Sequence, residues 1–352
     1  MTDPIRRAGH CISAADEIDQ IEMRRPHVVL LGAGASRAAF PNGEAHGKRL
    51  PLMADFADIV PIKEVLRKAG IPYFGRNFEE LYSDLRSQPA FEAVCSDLEQ
   101  VIVEFFSSLS LPPTPTLYDH LILSLRKKDV IATFNWDPFL IQAIRRNYIA
   151  QGQMPMVLFL HGNVAAGYCQ KDNVHGVRGA TCSRCGIPFA ASNLLYPVAS
   201  KSYEKDPAIA DAWRVAKAAF KSAFMVTIFG YSAPQSDVSA IDLLLNAWGG
   251  SQTRSMEQFE IIDVRPEDDL IETWRRFIHS HHYEVHSTVY DSWLFKHPRR
   301  SGEAYLNQYL NVLFIEDNLL PSVASFEDLH AWFTPLIKRE RNAELPSASA
   351  DK

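Results

Sequence analysis

The chain has 352 residues, 47% hydrophobic and 22% charged, with 21 Pro and 17 Gly. That composition excludes a fibrous, coiled-coil or disordered chain and is enough for a large buried core. A net charge of -6 provides no general attraction for nucleic acid or an anionic membrane, so direct nucleic-acid binding is not expected.

No run approaches the roughly 20 apolar residues of a spanning helix, and residues 1–17 lack the apolar centre of a secretory leader. No membrane contact and a cytoplasmic location are therefore expected. Five cysteines are an odd number for a disulfide framework, and Cys169, Cys182 and Cys185 lie close together, which points to a metal.

In chain order, His27–Leu31 is a continuous apolar run entered through Pro26 and ended by Gly32, the pattern of a buried parallel strand. Residues 52–111 turn helical, with apolar positions at helical spacing in 78–85 and 98–106, before the breaker at 111–115. A short helix (118–125) precedes a strand at 129–133, and a helix (139–148) precedes a strand at 156–160. After an irregular stretch come a helix (208–223), a strand (224–229), a helix (238–248) and a strand (259–263). Tyr283 to Tyr290 alternates as an edge strand does. Beyond Tyr290 only helical patterns remain, and 346–352 reads as a loose tail.

Strands alternating with helices predict an α/β fold, a doubly wound, Rossmann-like parallel sheet. The expected divisions are an N-terminal segment (1–26), an α/β domain (27–290) and a C-terminal helical extension with the tail (291–352). The α/β domain would carry a helical insertion (52–111) and a small cysteine-bearing insertion (163–203).

Ligands of open α/β sheets bind outside the carboxyl ends of the strands. The first strand ends in Gly32-Ala33-Gly34-Ala35-Ser36-Arg37, where glycines allow a backbone to approach a phosphate and Ser36 could bond it; a tight packing turn reads the same way. The second ends in Thr133-Phe134-Asn135-Trp136-Asp137, an amide and a carboxylate that either serve a site or cap the next helix. The third ends in His161-Gly162-Asn163, placing a side chain suited to proton transfer on the same edge. The fourth ends in Gly230-Tyr231-Ser232, and Asp263 closes the last; Asp263 could accept from ribose hydroxyls or cap its own turn.

Taken together and in order, these five motifs resemble the sirtuin superfamily, above all its bacterial sirtuin-like branch associated with NAD consumption and anti-phage defence. The resemblance spans about 27–286. It implies NAD as substrate, with Gly32, Ala33, Gly34 and Ser36 around the pyrophosphate and Arg37 near the ribose-phosphate. It implies Thr133, Asn135 and Asp137 at the nicotinamide ribose, His161 as catalytic histidine, Gly230 and Ser232 at the adenosine half, and Asp263 near its ribose.

The chain departs from protein-deacylating sirtuins, which follow the glycine turn with Gly-Ile-Pro-Asp-Phe-Arg where this chain has Ala39 to Glu44. Phe134 stands where they carry glutamine. The NAD motifs survive while the acyl-lysine groove does not, so the expected activity is hydrolysis of NAD to nicotinamide and ADP-ribose. Deacylation, ADP-ribosyl transfer and non-catalytic sensing are the alternatives. The resemblance also implies a zinc site, for which Cys169, Cys182, Cys185 and the nearby His175 are the candidates; a zinc-free loop is the rival. The histidines at 279, 281, 282 and 286 are not expected to bind metal, because carboxylates at ligand spacing are lacking. Because uncontrolled NAD loss would be toxic, a homo-oligomer or a regulatory partner protein is expected.

Overall fold

The computed structural model describes residues 11–73, 75–198, 203–234, 237–250, 253–278 and 282–344. The main sheet has six strands: β1 (His27–Leu31), β2 (Val130–Thr133), β3 (Met156–Phe159), β4 (Met225–Phe229), β5 (Gln258–Ile262) and β6 (Tyr283–His286). Their order is β6-β5-β4-β1-β2-β3, and every pairing is parallel. The chain therefore runs outward from β1 in one direction, returns to β4 and runs outward in the other, the doubly wound Rossmann-like arrangement. Its switch point lies between β1 and β4.

The inner strands are apolar on both faces because both faces are covered. Val29, Leu31, Ile131, Phe229 and Ile262 face a core shared with the helical insertion, whose Phe56, Phe78, Leu98 and Phe106 are buried in it. Val28, Leu30, Val226, Ile228 and Ile261 face the opposite core, under helices Pro207–Ser222 and Val238–Trp248. A second, three-stranded antiparallel sheet (Ala166–Cys169, Val174–Val177, Ala190–Ala191) forms the small cysteine-bearing insertion.

The C-terminal extension is held by buried charge. Glu340, in helix Phe326–Glu344, accepts from Arg299 Nε at 2.8 Å and from Arg300 Nη1 at 2.6 Å, and both arginine side chains are fully buried. Arg299 also donates to the carbonyls of Leu123, Leu125 and Gln153, which ties the extension to the loops around β2. Glu340→Ala would strand two buried guanidinium charges, and a loss of about 3–5 kcal/mol is expected in urea unfolding.

The extension is not wholly helical. Phe314–Ile315 pairs in parallel with Cys11–Ile12, correcting the helix-only reading beyond Tyr290. A two-residue strand whose partner lies near the other end of the chain leaves no local periodicity to detect. The tail at 346–352 and two of the histidines, at 279 and 281, lie outside the described residues. Among those residues no helix is long and apolar enough to cross a membrane.

Candidate active site

The carboxyl ends of the strands open into a cavity of about 1090 Å³. At the switch point the turns after β1 and β4 lie backbone against backbone. Gly34 N–H donates to the Gly230 carbonyl at 2.9 Å, and Gly32 N–H donates to the Phe229 carbonyl. A Cβ on Gly34 would stand 2.8 Å from Gly230 Cα, and one on Gly230, at φ +61°, only 2.2 Å from Ala35 N. These glycines are therefore required for turn-on-turn packing, the alternative that the motif itself left open.

Ser36 is more committed than a phosphate ligand would be. Its hydroxyl lies 2.7 Å from Asp137 Oδ2, to which it donates, and 2.6 Å from the Tyr118 hydroxyl, and it accepts from Asn135 Nδ2 at 3.0 Å. Ser36 thus lines the cavity and is at the same time a buried hub joining the loops after β1 and β2. Asn135 donates from the same nitrogen to the Gly32 carbonyl at 2.9 Å, and its own N–H bonds the Thr133 hydroxyl at 3.0 Å. Thr133 is buried and acts through Asn135 without lining the cavity. Burial raises the Asp137 carboxyl to about 6, against the opposing Ser36 and Phe139 hydrogen bonds.

His161 sits in an aromatic box. Phe134 meets its ring edge-on at 4.6 Å and stacks on Tyr231 at 4.2 Å, while Tyr203 lies parallel to the imidazole at 6.1 Å. The following Gly162 has φ +75°, and a Cβ there would meet the Asn193 carbonyl at 1.8 Å, so the chain after His161 passes where only glycine fits. Asn163 donates to the Asp137 carbonyl at 2.6 Å and accepts from Ala165 N–H at 2.9 Å, locking the β2 and β3 loops together. Tyr118, Asn163 and Asp237 were not among the candidates drawn from sequence. The signals available were the proximity of Asn163 to His161 and the place of Asp237 in the turn that follows Ser232.

Ala33, Ser232 and Asp263 line the cavity, and Ser232 is exposed. Asp263 accepts from Arg265 N–H at 3.0 Å and pairs with its guanidinium at 3.1 Å. Arg37 does not line the cavity. Its Nε donates to the Leu50 carbonyl and its Nη2 to Asp55, both at 2.6 Å, fastening the start of the helical insertion, so the expected contact with a ribose-phosphate is corrected.

In the small sheet, Cys169, Asp172, Cys182 and Cys185 bring one ligand atom each within 4.8 Å of one another. Cys182 Sγ is 3.2 Å from Asp172 Oδ2, and Cys169 Sγ is 3.5 Å from Cys185 Sγ. Three thiols and a carboxylate at such spacing suit a tetrahedral zinc ion. His175 is not in the group. It stands opposite Tyr168 in the antiparallel register, with Nε2 3.0 Å from Asp211, while the turn through Asn173 (φ +52°) returns Asp172 to the thiols. Asp172, and not His175, therefore stands beside the thiols where a fourth ligand would come from. Asp172→Ala is expected to weaken zinc binding by more than the roughly 10–100-fold that loss of an outer-sphere partner costs, measured by competition with a chromogenic chelator.

His286 does have carboxylate neighbours. The β5–β6 register sets Glu260 beside Glu284, with His286 Nε2 3.5 and 3.2 Å from them. Burial opposes charge on this imidazole, but the two carboxylates raise it to about 9. Glu260 also accepts from Thr227 and from Trp293 N–H. The ligand atoms of Glu260, Glu284 and His286 all lie within 4.8 Å of one another, close enough to hold a metal ion, so the expectation that carboxylates at ligand spacing are lacking is corrected for His286.

No protein-family model and no curated protein matches the chain. Solved structures align with it over most of its length. One is described as the structural basis for the mechanism and regulation of Sir2 enzymes, at 13% identity, covering 94% of this chain and 97% of that one, with a TM-score of 0.39. Another is a Sir2 with deacetylated p53 peptide and 3'-O-acetyl ADP-ribose, at 16% identity, covering 82% and 95%, with a TM-score of 0.35. A third is a Sir2 homolog–NAD complex, at 15% identity, covering 84% and 92%, with a TM-score of 0.32. The fold assignment rests on this chain's own strand order.

Proposed function

We propose that the protein is a sirtuin-like NAD glycohydrolase that cleaves the nicotinamide–ribose bond. The observation that carries this reading is the convergence of Asn135, Asp137 and His161, from two neighbouring strand ends, on one cavity at the switch point. Nicotinamide leaves as a neutral group from a cationic bond, so the chemistry needs no acid. It needs a held ribose, stabilisation of an oxocarbenium-like charge and a base for water.

Asn135 would orient the ribose or the water, Asp137 would face the developing positive charge, and His161 would take the proton. The turn at Gly32–Gly34, with Ser232 and Arg265, would receive the pyrophosphate, and Asp263 the adenosine ribose. Water is favoured over acyl-lysine as acceptor because Phe134 fills the space between His161 and Tyr231. The segment to Glu44 is likewise occupied: Glu44 is buried and accepts from the backbone N–H groups of His46 and Ser110.

Regulated NAD depletion in phage-infected bacteria, in the cytoplasm and under control of self-assembly or a partner protein, belongs to the same proposal. The test is nicotinamide and ADP-ribose release from NAD by the purified protein, alone and with extract of infected cells. Release with an acetyl-lysine peptide only, or ADP-ribose found attached to protein, would replace hydrolysis by deacylation or transfer. NAD binding without release under any condition would replace it by sensing.

A further inference from the structure

Asp237 belongs to none of the side chains so far given a role in cleavage, and it is used in an uncommon way. It occupies the N-cap position of helix Val238–Trp248, where aspartate ordinarily accepts from the first-turn amides, yet it makes no side-chain capping bond. Its carboxylate serves the cavity wall instead. Oδ2 accepts the Tyr231 hydroxyl at 2.8 Å, and Oδ1 lies 3.7 Å from His161 Nε2. The side chains of His161 and Asp237 are only 6% and 5% exposed. A carboxylate so placed acts on its neighbours with little screening.

We propose that Asp237 is the positioning residue of His161. It directs the Nε2 proton toward its own carboxylate, leaves Nδ1 as the nitrogen that accepts a proton, and stabilises the resulting imidazolium. This deepens the hydrolase reading and rests on it for the identity of the substrate. The separation of 3.7 Å is longer than a hydrogen bond, as such pairs commonly are before a ligand docks. In the step served, water oxygen bonds to the ribosyl C1′ and the C1′–N bond breaks with its electron pair departing on nicotinamide. The water proton passes to His161 and then to solvent. NAD and water thus give nicotinamide, ADP-ribose and one proton.

Among the described residues, the titratable groups near the ring besides Asp237 include Tyr203, stacked upon it, and Tyr231, which holds the carboxylate. Burial raises both phenols, Tyr203 to about 12 and Tyr231 further, so neither ionises in the neutral range. Asp237 is thus the carboxylate paired with the imidazole among the described residues.

Asp237→Asn preserves shape and removes charge. It is expected to lower kcat for nicotinamide release by about 100-fold or more, with little change in KM. The His161 titration, followed by NMR of the ring protons, should move down by about one pH unit or more. Asp237→Glu should restore part of both. Tyr231→Phe, which leaves Asp237 present but unheld, should show the same changes in weaker form and serves if Asp237→Asn does not fold. An unchanged His161 titration in Asp237→Asn or, if that does not fold, in Tyr231→Phe would overturn the pairing, whatever the effect on rate. If the wild-type protein releases no nicotinamide, the hydrolase reading fails, while the titration comparison still decides the pair.

Discussion

His161→Ala and Asn135→Ala are each expected to lower nicotinamide release from NAD by about 10²–10⁴-fold, the range lost when a proton-transfer group or a preorganised hydrogen-bonding group is removed. His161 is buried between Phe134 and Tyr203 and lines the cavity, so alanine there removes the proposed base and opens space for disordered water. Asn135 joins the two loops through Gly32 and Ser36, and its removal leaves the Gly32 carbonyl without that donor. The accompanying loss of stability should be about 1–3 kcal/mol, too small to unfold a typical domain. Circular dichroism and a thermal melt separate the two effects. Undiminished release in both variants, with the fold intact, would remove the proposed roles.

Asp137→Asn should move stability and activity in opposite directions. Burial raises the folded-state carboxyl to about 6 from an ordinary 3.8, so between these values the folded protein binds a proton that the unfolded chain has released. Stability from this group is therefore fully present below about pH 4 and is lost as pH rises through about 6. A difference of this size amounts to roughly 3 kcal/mol. At pH 7 to 8 the wild-type protein holds a buried anion that favours unfolding, and asparagine should relieve it, raising the urea midpoint and flattening its pH dependence. Nicotinamide release should fall sharply, because the anion proposed to face the developing cation is gone. In the wild-type protein, release should increase with pH through about 6 as Asp137 ionises. A variant that is both less stable at pH 8 and fully active would contradict the reading. Retention of an acid that destabilises the fold is the trade expected at a working site.

The sheet was legible because its signals are local. Five largely apolar runs, the first bounded by Pro26 and Gly32, fall within a residue or two of the observed β1 to β5, and the alternating segment at Tyr283 is the edge strand β6. Asn135, Asp137 and His161 were legible for the same reason: each follows directly from a strand, and the carboxyl ends of parallel strands share one edge. The use made of the surrounding side chains was less accessible. The glycines of the first turn read equally well as a phosphate loop or as close packing, and the close packing became visible only in the meeting of Gly34 with Gly230.

Local sequence, then, determined the alternation of strands and helices, the positions of the turns and the three side chains at the strand ends, since backbone periodicity and turn chemistry act over a few residues. Tertiary structure alone decided the partners. Arg37 turns to Asp55, Asp172 displaces His175 beside the thiols, Glu260 reaches His286 through strand register, and Asp237 comes to His161 from another strand end. Each is a contact between residues brought together by the fold, and side-chain direction across a sheet or turn is set by packing, which no local pattern encodes.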